Sequence, residues 1–240
     1  MLIAAAVCPH PPLLLPEVTG ASDPGVRALA PLRTACREAV AALLGEVPDL
    51  LVVVGGADRT AEYPPASVAS LRDFAVPFPA ADPAGLGYPV LPLSLTIAKL
   101  LLADAPAAPP AAWWAVASDA TAAECLSLGE KLAALAPRVA LLAMGDGPGV
   151  RARGVPGAEH PGADRYDGQV AAALAAADPG ALAALGDPPE LFVAGRAAWQ
   201  VLAGAASRAG ARDAFSADLR YAAAPFEVSY YVATWRLRAH

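Results

Sequence analysis

Unbroken apolar runs alternate along the chain with stretches in which apolar residues recur every three or four positions. Four runs are almost free of polar side chains and cover residues 2–8, 50–56, 113–118 and 139–145. A strand covered on both faces has this continuous apolar character, whereas a half-exposed strand alternates apolar and polar residues. The four runs therefore predict the central strands of a sheet with helices on both sides.

Segments whose apolar residues recur every three or four positions lie between and after these runs. This spacing predicts helices over residues 24–45, 94–104, 119–137, 165–177 and 189–208. Pro31 is expected to break or kink the first helix, and Gly45 is expected to end it. The last segment, residues 224–239, is rich in aromatic and β-branched residues and predicts one long strand, paired at an edge of the sheet.

This order of strands and helices predicts an α/β fold. We expect residues 1–240 to form a single three-layer α/β/α domain with a mixed, mostly parallel central sheet. The chain has 240 residues, of which 56% are hydrophobic, and it can therefore bury a sizeable core. Two connections rich in proline and glycine, residues 57–89 and 145–164, have the length of either functional or disordered loops.

Composition narrows the class of partner. The net charge of −6 argues against nucleic acid, because phosphate binding needs a basic surface. No run has the ~18–20 apolar residues of a membrane span, and the opening run lacks the basic segment of a signal peptide. Three cysteines without metal-type spacing predict free thiols in a reducing compartment. We therefore expect a cytoplasmic protein, and the richness in alanine and proline suggests a bacterial source.

Side chains able to carry chemistry follow the predicted strands. Ligands of open α/β sheets bind beyond the carboxyl ends of the parallel strands. His10 follows the first run, Asp58 the second and Asp146 the fourth. If the last strand is antiparallel to these, Glu227 near its beginning reaches the same edge. The sequence therefore predicts that one histidine and several carboxylates converge at one edge of the sheet.

Two of these residues have alternative interpretations. His10 is one of only three histidines and lies between prolines, which restrict the backbone and suit a rigid turn. It is either a metal ligand or general base, or a turn residue bonded to backbone. Asp146, between two glycines, is either a site carboxylate or a turn residue whose glycines permit positive φ.

The opening stretch "AAAVCPHPPLLLPE" resembles the class III extradiol ring-cleavage dioxygenases of the catalytic B-subunit type, and the related Memo-like proteins. Weaker likenesses are "DLLVVVGG", "MGDG" and the late glutamate Glu227 in "FEVSYY". The resemblance implies a mononuclear Fe(II), held by two histidines and one carboxylate, with open positions for O₂ and a catechol-type aromatic substrate. It assigns His10 as the first histidine ligand and Glu227 as the carboxylate ligand.

The chain departs from this pattern at two positions. The second histidine ligand of the family follows the second strand, where this chain reads "GGADRT" and Asp58 is the nearest replacement. A set of Asp58, His10 and Glu227 would bind Mn, Mg or Zn as readily as Fe(II). The family's catalytic histidine follows "MGDG", where the only available base is His160, further along the loop. His160 is either that base, acting beside Asp146, or a solvated loop residue.

Three functional hypotheses remain open from the sequence. The first is a divergent extradiol dioxygenase that inserts O₂ into a catechol-type ring. The second is a relative that has lost catalysis and retains the pocket as a binding or interaction protein. The third is a metal-dependent hydrolase that uses the same edge. The resemblance also implies either a homodimer or assembly with a small partner subunit.

Overall fold

The computed structural model describes residues 1–15, 18, 27–74, 76, 78, 85, 87–103, 105, 111–149, 161–208 and 214–238. Within these residues seven strands form one sheet. Their bounds are β1 Leu2–Cys8, β2 Leu50–Ala57, β3 Ala61–Tyr63, β4 Ala111–Ala117, β5 Val139–Met144, β6 Phe215–Ala223 and β7 Tyr230–Leu237. The α-helices of the described residues are α1 Ala30–Gly45, α2 Leu93–Ala103, α3 Ala122–Ala133, α4 Pro161–Ala176, α5 Pro179–Ala183 and α6 Arg196–Ser207.

The sheet is mixed, and its order is β3-β4-β2-β5-β1-β7-β6. The four apolar runs form its parallel centre, in which β5 pairs with both β2 and β1. The last strand β7 runs antiparallel to β1, with Val7 opposite Ala233. The beginning of β7 therefore lies at the same edge of the sheet as the carboxyl ends of the parallel strands.

Two apolar cores cover the two faces of the sheet. One contains α1 and α2, and the other contains residues from α3, α4, α5 and α6. Consecutive residues of β1 belong to opposite cores: Ala5 and Val7 to one, and Ala6 and Cys8 to the other. The strands are apolar on both faces because both faces are buried. The predicted three-layer α/β/α fold with a mixed sheet is confirmed.

Helices α3 and α6 pack in very close contact. An added Cβ on Gly129 of α3 would lie 2.0 Å from the carbonyl oxygen of Val201. One on Gly204 of α6 would lie 2.1 Å from the carbonyl oxygen of Leu126. The two glycines let the helix backbones touch, which no larger side chain allows. Helix α3 begins with a capping box in which Thr121 and Glu124 satisfy each other's backbone amides, as its capping residues predicted.

The structure corrects several predicted elements. The strand predicted over 224–239 is present but shorter, because β7 covers only Tyr230–Leu237, and it is the second strand of a hairpin with the edge strand β6. The sequence analysis missed β6 and the short β3. Residues 27 and 28 are helical, Leu29 is a turn, and α1 begins at Ala30 with Pro31 in its first turn, so the stretch predicted over 24–45 is broken at this proline, as expected. The last predicted helix, 189–208, is a 3₁₀ turn over Pro189–Leu191 followed by α6.

The structure also bears on the cysteines and on membrane-spanning segments. Cys8, Cys36 and Cys125 are free thiols and all are buried. Among the described residues, no helix combines the length and apolar character that crossing a bilayer requires.

Candidate functional site

The turn after β1 places His10 at the carboxyl edge of the sheet. A 3₁₀ helix follows immediately over Pro12–Leu14, and Pro11 caps it in an extended conformation. Arg33 of α1 stabilises this turn, because its guanidinium donates hydrogen bonds of 2.7 Å to the carbonyl oxygens of both Leu13 and Leu14. The prolines and Arg33 therefore hold the backbone of His10 in one conformation. His10 itself is buried, with 8% of its surface exposed.

Asp146 faces His10 from the loop after β5. Its Oδ1 accepts a hydrogen bond of 2.8 Å from the main-chain amide of His10, and lies 3.8 Å from the imidazole Nδ1. That second distance is too long for a hydrogen bond. Nδ1 is buried and has no hydrogen-bond partner in the described part of the chain. The Asp146 carboxylate therefore lies beside the imidazole and holds the turn after β1 through a main-chain hydrogen bond.

Close approach explains the glycines beside Asp146. A Cβ on Gly145 would lie 2.4 Å from the Cα of Gly195, and one on Gly147 would lie 2.7 Å from Cε2 of Tyr231. Neither glycine is among the described residues with positive φ. The "GDG" sequence therefore does not mark a left-handed turn. It lets the loop pack tightly against α6 and β7, which fixes the direction of the Asp146 side chain.

The beginning of β7 is joined to the same loop. The amide of Gly147 donates to the carbonyl of Ser229 at 2.7 Å, and the amide of Ser229 donates to the carbonyl of Pro148 at 3.0 Å. These bonds place Tyr230 near Asp146. Burial raises the pKa of Tyr230 well above its ordinary value, and the charge of Asp146 raises it further. Tyr230 is therefore a neutral phenol at physiological pH.

A buried pair of thiols lies beneath the site. A hydrogen bond with Cys8 raises the pKa of Cys36, and burial and the nearby Asp146 carboxylate add to this. Cys36 lies on α1 and Cys8 ends β1, and both are completely buried. Because the thiolate is the reactive form, Cys36 is not a nucleophile at neutral pH.

A second polar group lies on the other face of the sheet. Asp167 of α4 accepts hydrogen bonds from the hydroxyls of Ser229, at 2.8 Å, and Tyr231. Tyr231 also meets Trp199 edge to face, with ring centroids 5.8 Å apart. The sequence analysis missed Asp167, because an isolated carboxylate in a helical pattern gives no signal of a partner on a distant strand.

The predicted metal ligands do not come together. Asp58 is exposed after β2. At the end of β2, the hydroxyl of Ser94 lies against Gly55 and donates to the carbonyl of Gly56. Glu227 is exposed in the β6–β7 turn with a left-handed backbone, φ 62°. His160 lies outside the described residues.

The described donors do not fit an iron site with three protein ligands. No group of three or more histidine, cysteine, aspartate or glutamate side chains able to hold a metal occurs among the described residues. Among the predicted site residues that lie in the described part of the chain, the structure brings His10 and Asp146 together. What they offer is a buried imidazole nitrogen beside a carboxylate, which can exchange hydrogen bonds with a small polar group.

Comparisons with known proteins bear on the fold. No protein-family model matches the chain, and no curated protein matches it. Eighteen chains among the solved structures match. One is the crystal structure of the uncharacterized protein JW3007 from Escherichia coli K12, at 17% sequence identity, a TM-score of 0.54, and coverage of 97% of this chain and 99% of that chain. At this identity the similarity establishes a shared fold alone.

Proposed function

We propose that the chain binds a small aromatic molecule through a phenolic hydroxyl at His10 and Asp146, as a non-catalytic relative of the extradiol dioxygenases. One observation carries the proposal: the Nδ1 atom of His10 is buried without a partner, 3.8 Å from the Asp146 carboxylate. A buried polar atom left unpaired costs about 1–3 kcal/mol. A ligand hydroxyl that pairs with Nδ1 would recover this energy.

The charge around the site favours a neutral donor. Asp146 repels an anionic ligand, and the groups around it, Tyr230 and Cys36, are held neutral by burial and by its charge. A phenol is an O–H donor on an apolar ring, and it suits a buried site that offers an acceptor nitrogen and carboxylate oxygens. The aromatic class of the ligand comes from the family resemblance of the opening motif.

The experiment is a calorimetric titration of catechol into metal-free protein and into four single variants. We expect saturable binding of one molecule per chain. His10→Ala and Asp146→Ala should each weaken it at least about tenfold, which corresponds to the ~1.4 kcal/mol of one lost buried hydrogen bond. Asp58→Ala and Glu227→Ala should leave it unchanged. If catechol binds only after Fe(II) is added, or if Glu227→Ala abolishes binding, the proposal fails.

Ring cleavage at a non-haem iron is the second candidate. The opening motif supports it, whereas the described residues contain no group of three donors able to hold a metal. The test is oxygen uptake with a panel of catechols after anaerobic loading with Fe(II). Uptake that is lost in His10→Ala and Glu227→Ala would establish this candidate in place of the first. Loss in His160→Ala would assign His160 as the base.

A further inference from the structure

We propose that a groove between α1 and α2 binds a free carboxylate with a single medium-length alkyl chain. The groove has a volume of about 460 Å³, within the range of small-molecule sites. Among the described residues, its walls are apolar apart from one cation. The lining residues are Arg37, Val40, Ala41, Leu44, Gly45, Leu101 and Ala105. This site is separate from the one at His10, and the inference does not rest on the proposed function.

Small residues explain why the groove is open. Helix α1 packs over β1 and β7, α2 packs over β2, and both helices also contact β5. Along the seam between the two helices the lining residues Ala41, Gly45 and Ala105 carry little or no side chain. They leave an apolar cleft between α1 and α2.

Arg37 gives the groove its charge preference. It is exposed on α1, one turn before Ala41, and it makes no hydrogen bond or ion pair in the described part of the chain. Its neighbour Glu38 is engaged elsewhere, in an ion pair with Arg220 at 3.3 Å. A guanidinium binds a carboxylate through two parallel hydrogen bonds. An apolar cleft with one unpaired guanidinium therefore selects an alkyl chain that ends in a carboxylate.

The groove lies away from the His10 edge. It is built from the second half of α1 and from the end of α2, and α1 runs from the His10 edge toward the beginning of β2. A ligand in the groove therefore does not contact His10 or Asp146. A variant that abolishes binding in the groove should leave binding at His10 unchanged, and the reverse also holds. The two proposals can therefore fail independently.

The test is isothermal titration of decanoate, decanol and decyltrimethylammonium into the full chain. We expect one saturable decanoate site, with decanol at least about tenfold weaker and the cation not bound. Arg37→Glu should weaken decanoate at least about tenfold, and Arg37→Lys, which keeps the charge, should weaken it less. Arg208→Glu is the matched control, because Arg208 is exposed at the end of α6 on the other face of the sheet. It should change nothing.

A second set of variants separates the ligand from other occupants. Ala41→Trp places a bulky ring in the groove from an exposed helix position, so the fold should be retained, as judged by circular dichroism, while decanoate binding is lost. Equal affinity for decanoate and decanol, or unchanged binding in Arg37→Glu, overturns the proposal. Sedimentation could also overturn the proposal. If the chain forms a dimer that Ala41→Trp dissociates, and decanoate does not bind, then a second copy of the chain occupies the groove.

Discussion

The main-chain amide of His10 donates a 2.8 Å hydrogen bond to Oδ1 of Asp146 and joins two residues that are 136 positions apart in the chain. The same oxygen lies 3.8 Å from the unpaired Nδ1 of His10. One carboxylate therefore both holds the backbone of the opening turn and lies beside its imidazole.

The first prediction concerns this bond. Asp146→Ala should lower the free energy of unfolding by about 1–3 kcal/mol, because it leaves the buried amide of His10 without an acceptor. Asp146→Asn keeps a side-chain oxygen at that place and should cost less than half as much. Urea unfolding followed by circular dichroism measures both. Equal losses in the two variants would mean that the charge of Asp146, and not its hydrogen bond, stabilises the turn.

The second prediction concerns the contact between α3 and α6. Gly129→Ala and Gly204→Ala should each lower the free energy of unfolding by about 3 kcal/mol or more, because the new methyl groups would meet backbone atoms at 2.0 Å and 2.1 Å. Gly168→Ala in α4 is the control, since nothing lies within 4 Å of its added Cβ. It should raise stability by about 0.5–1 kcal/mol through helix propensity. Thermal unfolding distinguishes the three variants, and tolerance of alanine at both Gly129 and Gly204 would contradict the packing.

The central strands could be predicted because burial on both faces imposes an unbroken apolar sequence, as in β2 and β5. The hairpin of β6 and β7 was missed. Strand β6 lies at the edge of the sheet, and residues 215–221, FSADLRY, alternate apolar and polar as a half-exposed strand does, a signal that the sequence analysis did not use. Because the residues near the end of the chain are rich in aromatic side chains, the prediction joined the turn over 224–229 to β7. Glu227 was therefore placed in a strand instead of a turn.

The site could be predicted only in part. The rule that ligands gather at the carboxyl ends of parallel strands led to His10 and Asp146, and the structure brings these two together. It could not predict the side-chain directions of Asp58 and Glu227, which depend on loop conformation and not on strand order. The role of the glycines beside Asp146 also depends on α6 and β7, which pack against them from distant parts of the chain.

The third prediction concerns alkaline pH. Burial raises the pKa of Tyr230, so the unfolded chain releases this proton at a lower pH than the folded chain does. Its contribution to stability is therefore complete below the ordinary tyrosine value of 10.0 and is lost as the pH rises above it. Unfolding free energies measured by urea between pH 9 and 11 should fall, with about 1.4 kcal/mol per pH unit from each such group. Tyr230→Phe should remove the contribution of one tyrosine, about 1.4 kcal/mol per pH unit, from the slope of unfolding free energy against pH. An unchanged slope would contradict the assignment of the raised pKa to Tyr230.

The central claim is that Nδ1 of His10 receives the hydroxyl of an aromatic ligand. Long-range ¹H–¹⁵N NMR of the imidazole nitrogens, with His10→Gln used to assign the signal, observes this atom directly during a titration of catechol into metal-free protein. The account predicts a saturable shift of the His10 Nδ1 resonance that reaches completion at one catechol per chain. An unchanged Nδ1 resonance at catechol concentrations that saturate the protein by calorimetry would contradict it.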